Sequence, residues 1–395
     1  MKKILYILVI LGVASFGFAT TFQPYEHINL FQGAFSTGMG KATTAVKGLG
    51  IESFLANPAN GSEKFSCDII SINPFQYNST TLQLLSDLQK MQQTKDYTKL
   101  FNYIGTPVNV RLGVNLIGFN IPIYDFSLNF GTFATVYAYL EVHNPLSTAG
   151  LLDLLGFSAA SFFVGTSYSF KHLDVGNPEV NKYLSNLSVG LNMKFVLTGT
   201  VNRKLTLADF LQGSDHLNQV LNEELSKLVT ITNIKDLLVR PDIGLSYELP
   251  IDETQKVNFG LSILNIGGIP IGDFCIPTTV NLGAAYSYDL STLIGNRMLL
   301  KNTSVSLDFH DIFFQRKDKD FFKRLHIGLK TDLANLNDII VVSLGLGISQ
   351  GYPTFGVGFK LATFKINYSI SAEEIGVYAG QNPDVRQNIS ISIGW

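Results

Sequence analysis

The sequence predicts an all-β fold, a transmembrane antiparallel β-barrel of about fourteen strands with helical insertions in its outer loops. Three observations support this fold class. The chain of 395 residues is 46% hydrophobic but only 15% charged, whereas an average soluble domain has about 25% charged residues. Beyond residue 19, no apolar run approaches the ~18 residues that suggest a membrane helix. Segments that alternate apolar with small polar residues recur through most of the chain.

The composition also excludes several classes of protein. The 29 basic and 31 acidic residues give no basic excess, which argues against nucleic-acid binding. A positive mean hydropathy argues against a disordered chain. The only cysteines, Cys67 and Cys275, exclude a disulfide framework. Two unpaired thiols are the expected state, with a single bridge as the alternative.

Residues 1–19 have the three parts of a secretory signal peptide. Lys2 and Lys3 are basic, Ile4–Phe16 is an apolar run, and small residues end the segment at Ala19. We therefore expect export and cleavage near Ala19, with an uncleaved anchor as the alternative. No cysteine follows the apolar run, so we expect no lipid anchor.

Strict alternation is the main signal for strands, because successive side chains of a strand point to opposite faces. In residues 187–198, Leu, Val, Leu, Met, Phe and Leu occupy every second position. Residues 342–349 and 364–370 repeat this pattern. The other face contains glycine, serine and asparagine rather than the dense charge of a soluble sheet. A membrane barrel is therefore favoured over the alternative, a soluble β-sandwich.

The pattern predicts strands whose boundaries are uncertain by about ±2–4 residues. They are 69–77, 109–119, 124–140, 161–170, 186–199, 240–250, 256–266, 279–289, 303–311, 324–332, 339–349, 353–361, 363–371 and 387–395. The connections mostly alternate between long and short along the chain. Bacterial outer-membrane barrels have this arrangement, with long outer loops and short inner turns. The inner connections 171–185 and 290–302 are longer than this rule expects.

Two of the predicted outer loops show helical periodicity. Leucines recur at helical spacing in 82–91 and in 217–228. We expect Leu82, Leu85, Leu221 and Leu225 to contact ligand at the outer mouth. Packed surface helices or contacts with the outer leaflet are the alternatives.

The carboxy-terminal strand ends in an aromatic residue. Ile391, Ile393 and Trp395 share one face of this strand, and tryptophan suits the membrane–water boundary. Such an ending resembles the signal by which the barrel assembly machinery recognises its substrates. These three residues are therefore the predicted assembly signal.

Residues 34–63 resemble the amino-terminal segment of FadL/PorV-type outer-membrane proteins. The matches are Gly38, Met39, Gly40 and Ala42, followed by Asn57, Pro58 and Ala59. Asp308–Asp311, Leu325–Gly328, Gly345–Thr354, Glu373 and Asp384–Arg386 are similar to the PorV and TraF-like branches. One departure is Asn60, where the family commonly has glycine.

This resemblance implies a fourteen-stranded barrel with an N-terminal plug inside. It divides the chain into a signal peptide (1–19), a plug segment (20–66) and a transmembrane β-barrel (67–395). Gly38, Met39, Gly40, Asn57, Pro58 and Ala59 would form the plug or gate. A turn that only packs under the barrel is the alternative.

The resemblance also implies a role in the bacterial outer membrane. The FadL branch passes small hydrophobic compounds such as long-chain fatty acids, with outer-membrane lipid around the barrel. The PorV branch instead scaffolds or shuttles secreted proteins, and this is the alternative function. A general porin is a third alternative, which a plugged lumen disfavours.

The sequence contains no recognisable catalytic, phosphate-binding or metal-binding motif. Ala42 follows Lys41 where a phosphate loop needs Ser or Thr, and the six histidines are dispersed. We therefore expect no enzyme activity, no cofactor and no metal. Polar positions on the alternating strands would line the lumen, where they either tune solute passage or anchor the plug. They are Lys194, Asp308, His326, Lys330, Lys360 and Lys365.

Overall fold

The computed structural model shows a closed β-barrel. It describes residues 30–61, 64–94, 98–104, 108–142, 152–206, 237–272, 274–291, 298–316 and 319–394, with single positions between 207 and 236. The predicted signal peptide, Leu221, Leu225 and Trp395 lie outside the described residues. No helix in the described part is long and apolar enough to cross a bilayer.

Fourteen antiparallel strands form the barrel, and each pairs with its neighbours in sequence until the first pairs with the last. The barrel strands are β1 (Ser66–Asn78), β2 (Val108–Ile123), β3 (Phe126–Val142), β4 (Leu152–Ser169), β5 (Leu187–Leu205), β6 (Leu238–Pro250), β7 (Gln255–Leu264), β10 (Thr279–Tyr288), β11 (Leu299–Phe309), β12 (Leu325–Leu336), β13 (Ile340–Ser349), β14 (Tyr352–Leu361), β15 (Phe364–Glu374) and β16 (Pro383–Gly394). A separate hairpin contains β8 (Ile269–Ile271) and β9 (Phe274–Ile276). The predicted antiparallel barrel is confirmed, and every predicted strand overlaps an observed one.

The two faces of the barrel differ in chemistry, as the alternation predicted. On β16, Ile391 and Ile393 point outward and are exposed, while Asn388 and Ser390 are buried on the inward face. Large apolar side chains are exposed in the same alternating way on the other strands. An exterior of this kind is stable only against lipid, so the barrel is a transmembrane one.

Most of the long connections lie at one end of the barrel, which we call the loop end, and most of the short ones lie at the other, the turn end. At the loop end, the β1–β2 connection contains a helix and the β7–β10 connection contains the β8–β9 hairpin. At the turn end, most connections are short, but the β4–β5 connection spans residues 170–186. The helices are α1 (Ala34–Gly38), α2 (Ile51–Ala56), α3 (Ser79–Thr94) and α4 (Pro178–Leu184).

The loop-end helix α3 confirms a helical insertion, but its packed side differs from the leucine periodicity. Leu84 is fully buried together with Thr81, whereas Leu82 is exposed. Leu85 lies in the helix, and its side chain is outside the described set. The helix therefore packs through residues that the leucine spacing did not select.

Glu374 organises the β15–β16 connection at the loop end. Its carboxylate accepts bonds from the backbone nitrogens of Gly376 (2.5 Å), Gln381 (2.6 Å) and Asn382 (2.9 Å), and from the Tyr352 hydroxyl (2.6 Å). Hydrogen bonds to a charged acceptor are worth about 1.5–3 kcal/mol each. We expect Glu374→Ala to speed amide hydrogen exchange at all three backbone positions. Unchanged exchange there would contradict this role.

Candidate functional site: the occupied lumen

Residues 30–61, the lumenal segment, cross the interior of the barrel. Helix α1 contacts β13, β14, β15 and β16, while α2 contacts β2. The segment begins in the loop-end half, where the Leu30 carbonyl accepts a bond from Arg111 (3.0 Å). It ends near Gly61 at the turn end, beside Ser127 and Ser167. The segment therefore lies across the path from one end of the barrel to the other.

Inward-facing glycines of the wall form the surface on which this segment lies. A Cβ atom added to any of them would overlap or crowd atoms of the segment between Met39 and Ala59. These glycines are Gly190, Gly244, Gly260, Gly283, Gly328 and Gly347. The absence of a side chain at these positions allows the close approach of the two backbones. The inward-facing glycines thus lie where the lumenal segment passes closest to the wall.

Hydrogen bonds from the wall fix the first half of the segment. The Asp308 carboxylate accepts the Thr44 N–H at 2.7 Å. The Nδ1 atom of His326 donates to the Gly40 carbonyl at 2.9 Å. Ser306 and Thr354 donate to the carbonyls of Ala42 (3.0 Å) and Gly38 (2.9 Å). Gly40 itself has a φ of +74°, which favours glycine at this turn.

The Asn-Pro-Ala motif fixes the second half. Asn57 Nδ2 donates to the Thr44 carbonyl (2.9 Å) and to the Leu245 carbonyl of β6 (3.0 Å). Its Oδ1 accepts the Ala59 N–H at 3.0 Å. Pro58 and Ala59 lie against Gly190. All six residues predicted to form the plug or gate therefore contact the inner wall or each other inside the barrel.

The predicted lumen-lining residues divide into two groups. Asp308 and His326 bind the segment, and Lys330 approaches the Gly48 carbonyl at 3.5 Å. Two of the other three lysines form ion pairs within the wall. Lys194 forms an ion pair with Asp242 (2.8 Å), Lys365 forms one with Asp68 (3.3 Å), and Lys360 lies opposite Lys365.

A buried ionic cluster joins the segment to the last two strands. Lys41 pairs with Glu373 of β15. Arg386 of β16 lies 3.9 Å from Glu373 and 2.6 Å from Asp384. Asn109 also donates to Asp384 at 2.5 Å. The sequence resemblance included Glu373, Asp384 and Arg386, but only the structure shows that Glu373 links the other two to Lys41.

Two histidines stack beside this anchoring region. The ring centroids of His310 and His326 are 4.1 Å apart, and His310 Nε2 lies 3.3 Å from Asp308. Burial, together with the nearby charges of Arg316 and Lys41, lowers the pKa of His310 to about 3. This ring is therefore neutral at pH 7. Among the described residues, no group of three or more His, Cys, Asp or Glu side chains is arranged to hold a metal ion.

The inward faces of β3 and β4 form an aromatic wall in the loop-end half of the lumen. The lumenal segment and the β8–β9 hairpin cover this wall. The wall side chains are Phe133, Tyr137, Tyr139, Phe157 and Phe163, and the covering side chains are Leu30, Ile51, Phe54, Ile269, Ile271 and Ile276. Sequence reasoning missed this wall, although residues 133–142 and 152–163 carry large apolar side chains on both faces. That loss of alternation was the available signal.

A small cavity remains between the lumenal segment and the wall. Its volume is about 80 Å³, and its lining includes Phe31, Leu55, Phe133, Lys41 and Arg316. A water molecule needs about 10–15 Å³ by this measure, whereas pockets for drug-sized ligands have about 300–1,000 Å³. The cavity has room for a few waters but not for a long apolar molecule. This cavity is therefore too small to serve as the passage for such a molecule.

These features define a transmembrane β-barrel with a filled, partly aromatic lumen. No protein-family model matches the chain, and no curated relative matches it. The fourteen-stranded barrel implied by the FadL/PorV-type resemblance is confirmed by the strand order itself.

Among solved structures, the chain is similar to two forms of TodX and to a porin. The TodX deltaS2S3 mutant, a monoaromatic hydrocarbon channel, shares 11% identity over 92% of this chain and 98% of that chain, with a TM-score of 0.49. The Pseudomonas putida toluene transporter TodX shares 11% identity over 93% and 99%, with a TM-score of 0.48. A mutant Rh. blastica porin shares 10% identity over 84% and 100%, with a TM-score of 0.28.

Proposed function

We propose that the protein is a bacterial outer-membrane channel that takes up small hydrophobic compounds, with long-chain fatty acids as the model substrates. The observation that supports this most is the aromatic wall inside a barrel whose other inward positions are mainly small and polar. An apolar surface inside an otherwise polar lumen favours an apolar ligand, because burying such a ligand releases about 25 cal/mol per Å².

The proposed path begins at the loop end and reaches the aromatic wall under the β8–β9 hairpin. The next obstacle is α2, where the Phe54 ring stacks on Phe163 with centroids 6.2 Å apart. A hydrophobic compound on the wall would compete with Phe54 for this contact. If the ligand displaces the Phe54 ring from the wall, the segment loses about 1.5–3 kcal/mol of apolar burial, and the burial of the ligand compensates for that loss. Ligand binding would in this way loosen the lumenal segment, which is the proposed gate.

This proposal assigns the remaining surfaces to the membrane and to assembly. The exposed apolar exterior would contact outer-membrane lipid. The barrel assembly machinery would recognise the carboxy-terminal strand. No catalytic step is part of the proposed transport, which is diffusion through a gated path.

A matched pair of β4 variants tests the ligand site. Phe157 faces the lumen and is buried, while Phe162 faces lipid and is exposed. We expect Phe157→Ala to weaken oleate binding to the reconstituted protein by about 10- to 100-fold, because the ligand loses the apolar burial of one ring, about 1.5–3 kcal/mol. Phe162→Ala should bind oleate as the parent does. Equal binding by both variants would contradict the site.

Uptake distinguishes this channel from the scaffold alternative. Oleate entry into proteoliposomes should fall in parallel with binding in Phe157→Ala and stay unchanged in Phe162→Ala. A protein that binds no oleate and transports none, but retains exported proteins stably, would instead be a PorV-like partner.

A further inference from the structure

The β11–β12 connection, residues 310–324, exposes three phenylalanine rings at the loop end. Phe313 is 65% exposed, Phe321 is 51% exposed and Phe322 is 62% exposed. Large exposed apolar side chains grouped in one loop often mark a contact with another molecule. The function proposed above does not use these rings.

Polar contacts restrain the described part of the loop beneath the rings. A buried ion pair joins Arg324 to Asp311 at 3.2 Å, and the Arg324 guanidinium lies 4.7 Å from the Phe314 ring centroid. The Asp320 carboxylate accepts the backbone N–H groups of Phe322 (2.6 Å) and Lys323 (3.2 Å). Because the backbone is fixed in this way, little conformational entropy remains to be lost when the rings are buried.

The rings also continue the lipid-facing surface of the barrel. Phe309 is the last outward residue of β11, in line with the exposed Val305 and Leu307. The Phe321 ring lies 4.6 Å from the Phe309 ring, and the Phe322 ring lies 5.5 Å from that of Phe321. The apolar stripe on β11 therefore extends past the end of the strand into the loop.

We propose that this loop anchors the barrel in the membrane, with Phe321 and Phe322 buried in lipid where acyl chains meet headgroups. Strands of the barrel end at this depth, and aromatic rings are favoured there. The occupant is lipid rather than a second protein copy, because the patch is continuous with the surface that lipid already covers. The anchor is independent of which compound passes through the lumen.

A single-tryptophan reporter tests the anchor. The chain has one tryptophan, Trp395, so Trp395→Phe provides a background free of tryptophan that keeps an aromatic end. Phe322→Trp in this background would be reconstituted in dioleoylphosphatidylcholine vesicles with and without a brominated analogue, which quenches tryptophan on contact. Leu307→Trp on the lipid face and Glu179→Trp in the exposed first turn of α4 are the two references.

We expect brominated lipid to quench Phe322→Trp nearly as strongly as Leu307→Trp, and to leave Glu179→Trp unquenched. Emission from Phe322→Trp that matches Glu179→Trp would show a ring in water and overturn the proposal. Blue-shifted but unquenched emission would show that protein, such as a second copy, covers the ring, and would overturn it too. Heat-modifiable gel mobility verifies folding, and Phe321→Trp serves as the second reporter.

Discussion

Deletion of residues 34–60 is expected to open the occupied lumen of the barrel and leave a water-filled pore. These residues supply the backbone that lies on the wall glycines and the groups that bond to Asp308 and His326. Without them, polar inward side chains would border a continuous water-filled lumen, as in larger barrels. Planar-bilayer recordings should show a large rise in leak conductance. A conductance equal to that of the parent would exclude a plug role for this segment.

A matched pair of glycine variants gives a milder form of the same test. At Gly190, an added Cβ would overlap the Pro58 carbonyl and the Ala59 nitrogen, so Gly190→Ala should displace the Asn-Pro-Ala motif. At Gly345, also an inward position, the nearest atom to such a Cβ is 3.4 Å away, which is ordinary contact. Gly190→Ala should raise the leak, and Gly345→Ala should not. An equal leak from both variants would mean that close packing of the segment on the wall glycines is not what keeps the lumen closed.

Sequence alone predicted the barrel because its signal is local. Residues such as Leu191, Asn192 and Met193 alternate between lipid and lumen, so the residues of a single strand are enough to show that its two faces meet different environments. The hairpin β8–β9 escaped prediction because three-residue strands show no usable period. Its isoleucines are buried by the lumen wall rather than by pairing in the barrel.

Contacts across the lumen could not be predicted in the same way. Periodicity indicates that Asp308 and Lys194 face inward, but not that Asp308 meets Thr44 while Lys194 meets Asp242. Such pairings depend on the exact register between neighbouring strands and on the path of the lumenal segment. The aromatic wall was hidden for a further reason. On β4, Phe157 and Phe163 face the lumen while Phe162 and Val164 face lipid, so alternation no longer marks the inside.

The buried ionic cluster should give the largest effect of any single substitution. Glu373 pairs with Lys41 of the lumenal segment and lies 3.9 Å from Arg386. Glu373→Gln would leave the buried Lys41 ammonium without its carboxylate, and breaking a buried pair in this way costs about 3–5 kcal/mol. Since Arg386 retains Asp384 at 2.6 Å, most of this cost falls on Lys41. The segment should therefore leave its closed position, and planar-bilayer leak conductance should rise.

A second substitution should reverse this effect. Lys41→Met in the Glu373→Gln background removes the stranded charge, and replacing both partners of a buried pair is often nearly neutral. The double variant should therefore leak less than Glu373→Gln alone. Asp125→Asn, which removes a carboxylate charge beside the exposed His172 at the turn end, is the control and should leave the leak unchanged. A double variant that leaks as much as Glu373→Gln would mean that the Glu373 carboxylate acts through its contacts within the barrel wall. In that case, the ion pair with Lys41 would not be what holds the lumenal segment in place.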